Sequence, residues 1–247
     1  MLKNKVALIT GASSGIGYAT SVALSKAGAH VAAGARRVEK LKDLEKEINE
    51  SRGAEVLIQS LDVTNIANCN SFVDAAVKKW GTVDILVNNA GLMPLSFFKN
   101  SKVDEWERMI DVNFKGVLYC TSAVIPHMLK KESGHIVNMS SVAGRLVFAG
   151  GTVYCATKHA VTAFSEGLRI EFSPRSKIRV TCIEPGAVST ELLETITDES
   201  MTRFVEASKK MESLQAQDIA DAIMYAVQAP SHVNVNEILI RPTQQVI

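Results

Sequence analysis

The sequence predicts a single α/β domain over residues 1–247, a doubly wound and mostly parallel sheet of about seven strands with helices on both faces. Three observations carry that prediction. Short apolar runs alternate along the chain with longer stretches of helical character. The runs are apolar at consecutive positions, as strands covered on both faces require. No repeat, low-complexity tract or Pro/Gly/Ser-rich linker divides them.

In chain order, Val6 to Ile9 reads as the first strand, entering a glycine-rich turn, and Ile16 to Lys26 as a helix that Gly28 stops. His30 to Ala35 is a second strand. Val38 to Arg52 is a charged helix with Leu41, Leu44 and Ile48 on one side, and Glu55 to Leu61 a third strand. Then follow helix Ile66 to Trp80, strand Val83 to Val87, a helical region from Val103 to Lys131, and strand His135 to Met139. The next helix carries Tyr154 and is expected to end at Pro174, which cannot continue the hydrogen-bond ladder. Strand Ile178 to Ile183, an irregular or helical excursion over Ala187 to Met211, helix Gln217 to Ala229 and strand Glu237 to Ile240 complete the chain. Residues 189–211, polar and following Pro185-Gly186, are expected to form a mobile lid.

Charge excludes some functions. With 27 basic and 26 acidic residues the net charge is +1, which gives no electrostatic reason for nucleic acid or an anionic membrane as partner. Cys69, Cys120, Cys155 and Cys182 are scattered without a CxxC and read as buried hydrophobes in a reducing compartment. No histidine has metal-ligand spacing, so no metal is expected. The first apolar run is too short for a signal peptide or membrane span, and the expected location is cytoplasmic. No G-x-S-x-G elbow is present and Ser141 lacks a triad context, which argues against hydrolysis.

Three stretches carry chemistry. Thr10 to Gly17 lies between the first strand and its helix with spacing G-x-x-x-G-x-G, where backbone N–H groups and the helix dipole can receive a pyrophosphate; a purely structural turn is the alternative. After the second strand, Arg36-Arg37 stands where an NAD site places a carboxylate for the ribose hydroxyls. Guanidinium groups match a 2′-phosphate, which favours NADP, unless the pair is merely exposed charge opening a helix. Tyr154 and Lys158, at i and i+4, share a helix face. A phenol beside a cation is a route to an acid or base near neutrality, but lowering its pKa by ~3 units takes roughly 4 kcal/mol, so a second cation is expected nearby. Taken alone, the pair also fits an amphipathic helix with a surface lysine.

Thr10 to Gly17, Asn88-Asn89-Ala90-Gly91, Asn113, Ser141, Tyr154 with Lys158, and Pro185-Gly186 together resemble, in order and spacing, the signature of the short-chain dehydrogenase/reductase family, from about Lys5 to Pro242. The resemblance implies a Rossmann-type fold with strand order 3-2-1-4-5-6-7 and a nicotinamide cofactor. Arg36 after Ala35 resembles the NADP-preferring group, whereas Ser14 departs from a second such group that carries a basic residue there. It implies that Gly11, Ser13, Ser14, Gly15, Ile16 and Gly17 hold the pyrophosphate and adjacent ribose, Arg36 and Arg37 the 2′-phosphate, and Asp62 and Val63 the adenine. Asn89, Ala90 and Gly91 would meet the middle of NADP(H), and Pro185, Gly186, Val188 and Thr190 the nicotinamide. Tyr154 would transfer the proton and Ser141 hydrogen-bond the same substrate oxygen. Lys158 would bind the nicotinamide ribose and lower the Tyr154 pKa, with the oxidised nicotinamide as the second cation, and Asn113 would hold a relay water.

The implied activity is NADP(H)-dependent hydride transfer to or from a secondary alcohol, ketone or aldehyde, acting on CH–OH groups. An epimerase, an enoyl reductase and a non-catalytic dinucleotide-binding redox sensor are the alternatives. Met93, Leu95, Ser141, Arg145, Phe148 and Leu192 are candidate walls of a largely apolar substrate pocket, in which Arg145 meets either a substrate carboxylate or a surface acid. The segment Val235 to Gln245 resembles NADP-dependent reductases of small hydroxy acids and aldehydes. A homodimer or homotetramer built on the Asn113 and Tyr154 helices is implied.

Overall fold

The computed structural model describes residues 2–51 and 53–246. Seven strands form one sheet: β1 Val6–Thr10, β2 His30–Ala35, β3 Val56–Ser60, β4 Ile85–Asn88, β5 Gly134–Met139, β6 Ile178–Pro185 and β7 Glu237–Ile240. They lie in the order β3-β2-β1-β4-β5-β6-β7, and every neighbouring pair is parallel. Helices α1 Gly15–Lys26, α2 Val38–Glu50, α3 Ile66–Trp80, α4 Val103–Ile110, α5 Gly116–Lys130, α6 Thr152–Ser176, α7 Thr202–Lys210 and α8 Ala216–Gln228 supply the crossovers and flanking layers. Each face of the sheet has its own core. Ala7, Ile9, Val31 and Ala33 face one, with Leu41, Leu44 and Ile48 of α2 and Ile219 and Ile223 of α8, while Leu8, Ala32, Leu86 and Ile136 face the other, with Phe72 of α3 and Val124 of α5. Strands apolar at consecutive positions are the outcome of this double coverage. This is the Rossmann-type fold with the predicted strand order.

Differences from the sequence reading are local. Pro174 does not end α6, which runs two residues further and stops where Lys177 turns left-handed at φ 52°. A proline in the last turn leaves only the carbonyl four residues earlier without its partner, here that of Ile170, whose residue is largely exposed and open to water. The helical region from Val103 is continuous but widens into a π-helical turn over Asp111–Lys115, centred on Asn113. The excursion after β6 contains 3₁₀ turns at Glu191–Thr195 and Glu199–Met201 as well as α7. Helix α2 ends at Glu50; Arg52, its expected end, lies outside the described residues, as do Met1 and Ile247 of the expected domain.

Because all strands run the same way, the ends at Thr10, Ala35, Asn88, Met139 and Pro185 meet along one edge. A buried polar chain keeps that edge in register. Asn88 donates to Thr121 on α5 (3.0 Å) and to Asn138 on β5 (2.8 Å), and Asn138 donates to Ser165 on α6 (2.9 Å). These bonds tie α5 and α6 to the sheet, although the Asn88 Oδ1 is buried without a partner among the described residues.

The opposite end of the sheet holds a titratable group. His135 is buried, with Nε2 2.8 Å from the Thr181 hydroxyl and Nδ1 without a partner. Burial, helped by Arg179, pulls its pKa down to about 3. The unfolded chain therefore binds one more proton than the native chain between about pH 6.5 and 3, so stability falls as pH falls through that window. Unfolding free energy measured against pH should show a slope shallower by up to ~1.4 kcal/mol per pH unit in His135→Gln than in the wild type. Equal slopes would mean that His135 is not held neutral.

Candidate active site

The glycine turn is shaped by contacts that leave no room for side chains. Gly11 and Gly15 have φ of 66° and 55°, a left-handed backbone that glycine adopts readily. A Cβ on Gly11 would come 2.8 Å from the Ala90 Cα, and one on Gly17 2.4 Å from the Asn89 side-chain nitrogen. Thr10 and Asn89 lock these two strand exits together. The Thr10 hydroxyl accepts from the Asn89 and Ala90 amides, both at 3.0 Å, and Asn89 Nδ2 donates to the carbonyls of Thr10 (3.0 Å) and Gly11 (3.1 Å). The first turn of α1 holds no acidic residue, and its N-cap, Ser14, gives it no side-chain hydrogen bond. The carboxylate at this end of the cavity comes from another element: the Ser14 hydroxyl donates to Glu191 (2.9 Å), which Arg37 also pairs with.

That cavity, about 890 Å³, extends from the ends of β1 and β2 to those of β5 and β6. Its wall includes Gly11, Ser13, Ser14, Gly15 and Ile16 of the turn, Arg36, Arg37, Asp62 and Val63 at one end, and Ser141, Tyr154, Lys158, Pro185, Gly186, Val188 and Thr190 at the other. Asn89, Ala90, Gly91, Met93, Phe148 and Leu192 line it as well. Gly17, Asn113, Leu95 and Arg145 stand back from the wall.

Tyr154 and Lys158 are buried on the inner face of α6, not on a solvent-facing one. Lys158 Nζ donates to the Met139 carbonyl at the end of β5 (2.8 Å) and lies 5.7 Å from the centre of the Tyr154 ring. Burial pulls the lysine down to about 8 and pushes the tyrosine up to about 12, the nearby Ser141 hydroxyl opposing the latter shift. Desolvation is the largest influence on both groups and biases each toward its neutral form, in keeping with the expectation that one lysine does not suffice to lower the tyrosine pKa and that a second cation is needed. Ser141 accepts from the Ala143 amide (3.1 Å) and donates to the Pro185 carbonyl (3.3 Å), which fixes its hydroxyl between β5 and β6. Its neighbour Ser140 donates to the Lys158 carbonyl (2.9 Å) and braces α6.

Asn113 sits in the π-helical turn with its side chain buried. Its Oδ1 accepts from the Leu92 amide (2.9 Å), while Nδ2 donates to the Leu92 carbonyl (2.9 Å) and the Thr157 hydroxyl (3.2 Å). The amide clamps the loop after β4 to α6. Two pocket residues are corrected. Leu95 is buried in the core, and Arg145 forks onto Glu184 with two contacts of 2.9 Å and pairs with Glu237. Glu184 is wholly buried at the end of β6 and needs that counter-charge, which leaves Arg145 unavailable to a ligand.

Glu191, Thr195 and Phe204 line the cavity without having been singled out in the sequence. They come from the excursion after β6, which folds back by loop geometry; no periodicity marks them. Phe204 stacks on Phe148 with ring centres 6.0 Å apart, and the Thr195 hydroxyl accepts from the Met93 amide (2.9 Å). Among the described residues no group of three or more His, Cys, Asp or Glu side chains is placed to hold a metal ion, and no helix is long and apolar enough to cross a membrane.

Known proteins resemble this chain in fold and in sequence. A serine dehydrogenase crystallised in closed form with NADP+ is 36% identical, superposes with a TM-score of 0.90, and matches 98% of this chain and 96% of its own. A short-chain dehydrogenase/reductase from Burkholderia phymatum, solved with NAD, is 27% identical with a TM-score of 0.87, covering 96% of this chain and 89% of its own. In sequence, an uncharacterized oxidoreductase of Staphylococcus saprophyticus subsp. saprophyticus is 47% identical over 245 residues, 99% of this chain and 98% of that protein. The short chain dehydrogenase family model matches residues 5–201, a span that runs from the strand before the glycine turn past Tyr154 and Lys158. The chain is an oxidoreductase that belongs to the short-chain dehydrogenase/reductase family.

Proposed function

We propose that the chain transfers a hydride between NADP(H) and a secondary alcohol, ketone or aldehyde, with Tyr154 as the acid or base. The observation that carries this reading is one cavity with a glycine-rich helix N-terminus and two arginines at one end and a buried Tyr-Lys-Ser set at the other. The residues present fit a dinucleotide. Added Cβ atoms at Gly11 and Gly17 would strike the backbone and side chain of the facing loop, so the turn exposes peptide groups where a pyrophosphate needs them. The NADP+ bound by the serine dehydrogenase neighbour favours the phosphorylated form.

When bound, the nicotinamide supplies or accepts the hydride. Gly11, Ser13, Ser14, Gly15 and Ile16 would hold the pyrophosphate and adjacent ribose, braced by Gly17 behind them. Arg36 and Arg37 would hold the 2′-phosphate, Asp62 and Val63 the adenine, and Asn89 to Gly91 the middle of the dinucleotide. Pro185, Gly186, Val188 and Thr190 would flank the nicotinamide. Lys158 has Met139 as its hydrogen-bond acceptor among the described residues, so its remaining N–H groups are available to the adjacent ribose. Ser141 orients the substrate oxygen and stabilises negative charge that develops on it. Tyr154, protonated at neutral pH with its pKa near 12, is ready to donate in the reductive direction. To act as a base at pH 7 it must overcome about 5 pH units, roughly 7 kcal/mol, so oxidation relies on added positive charge beside it. Met93, Phe148, Leu192 and Phe204 form an apolar wall suited to a hydrocarbon substituent. On the outer side of α6, exposed Ala156, Ala163 and Ile170 leave a low apolar strip; we assign it to self-association as a dimer or tetramer.

With a panel of carbonyls and NADPH, and of alcohols and NADP+, Tyr154→Phe is expected to lose about 10²- to 10⁴-fold in kcat. Near-normal turnover in that variant would sink the mechanism. Arg36→Ala should reduce the NADPH-over-NADH affinity ratio by about tenfold, and an unchanged ratio removes Arg36 from phosphate recognition. Light scattering should report a dimer or larger, dissociated by Ala163→Arg; a wild-type monomer rules out the assigned interface.

A further inference from the structure

The carboxylate of Glu191 lies at the phosphate end of the cavity, although its residue belongs to the excursion after β6. Its Oε2 accepts from Arg37 Nη2 at 2.6 Å and from the Ser14 hydroxyl at 2.9 Å. Arg37 in turn donates to the Ser13 hydroxyl (3.1 and 3.3 Å) and the Ser14 hydroxyl (2.7 Å). A guanidinium and a hydroxyl converging on one carboxylate oxygen are donors an approaching phosphate would use. The side chain is held there by its backbone. A Cβ on Gly15 would come 3.0 Å from Thr190 Cγ2, so the turn that opens at Glu191 rests on the glycine turn. The ion pair is about half exposed, with side-chain accessibilities of 50% for Arg37 and 44% for Glu191, and so is weak enough for a ligand to displace.

We propose that Glu191 sets the discrimination between phosphorylated and unphosphorylated dinucleotides by competing with the 2′-phosphate for Arg37. The proposal rests on the NADP reading of Arg36 and Arg37. A phosphate monoester carries about −1.5 to −2 charges at neutral pH and cannot share one guanidinium with a carboxylate without repulsion. Binding a 2′-phosphate therefore displaces Glu191 from Arg37 and Ser14, and the first turn of the excursion loses its tie to the glycine turn. A 2′-hydroxyl makes no such demand and leaves the pair in place. Arg36, exposed and near Asp62, has no carboxylate within ion-pair distance among the described residues and remains available in both cases. The two arginines are thus unequal: one is free for phosphate, the other is guarded.

The test uses 2′,5′-ADP and 5′-AMP, which differ at the 2′ position and carry no nicotinamide, titrated calorimetrically into the wild type, Glu191→Gln, Arg37→Ala and the double variant, with melting temperature as the folding control. Glu191→Gln is expected to bind 2′,5′-ADP about fivefold more tightly, with 5′-AMP unchanged, and that gain should vanish in the Arg37→Ala background. Equal affinities in wild type and Glu191→Gln, or weaker 2′,5′-ADP binding by the variant, would overturn the competition, and so would a gain that survives without Arg37. NADPH and NADH titrations separate this proposal from the reading beneath it. A wild type that prefers NADH, with a preference for NADPH appearing only in Glu191→Gln, overturns the NADP reading and supports the guard.

Discussion

The hydrogen bond from Lys158 to the Met139 carbonyl governs the site. An ammonium buried with one protein acceptor is expensive, and the chain accommodates it by weakening the charge, as the drop to about 8 records. The same desolvation raises Tyr154 to about 12, so at neutral pH the phenol keeps its proton beside an ammonium that stays mostly charged and has one protein acceptor. A group that brings hydroxyls to the lysine and positive charge to the tyrosine relieves both penalties at once. Cofactor affinity and the acidity of the tyrosine are then parts of one electrostatic balance.

That balance depends on how firmly α6 is held. The Asn88–Asn138–Ser165 chain fixes its middle, Ser140 braces the Lys158 carbonyl, and the Asn113 amide clamps Thr157 to the loop after β4. These contacts span β4, β5 and the π-helical turn, so the position of the phenol is determined by elements distant in sequence. Asn113 contributes by holding the loop and the helix together.

Charges around the cavity are arranged in unequal pairs. Arg145 pairs with the buried Glu184 and stands back from the cavity, whose wall includes the apolar Met93, Phe148, Leu192 and Phe204. Arg37 meets Glu191 at the half-exposed phosphate end, where a weak pair can be exchanged for a stronger ligand. The difference is burial: beneath β6 an uncompensated carboxylate would be prohibitive, whereas at the rim water shares the cost.

Much of the fold was legible in the sequence. Runs apolar at consecutive positions indicated strands covered on both faces, and their alternation with helices indicated a parallel sheet whose carboxyl ends must share an edge. The spacing of Tyr154 and Lys158 placed both on one helix face, and Thr10 to Gly17 marked a turn before a helix, because these are short-range consequences of backbone geometry. Tertiary structure alone decided what each group experiences. Burial pushed Tyr154 up and Lys158 down, Glu184 claimed Arg145, Leu92 and Thr157 took hydrogen bonds from the amide of Asn113, and the fold-back after β6 brought Glu191 onto Arg37 across 154 residues. Desolvation and ion pairing depend on which residues meet in space, and those meetings have no local signature for a sequence to carry.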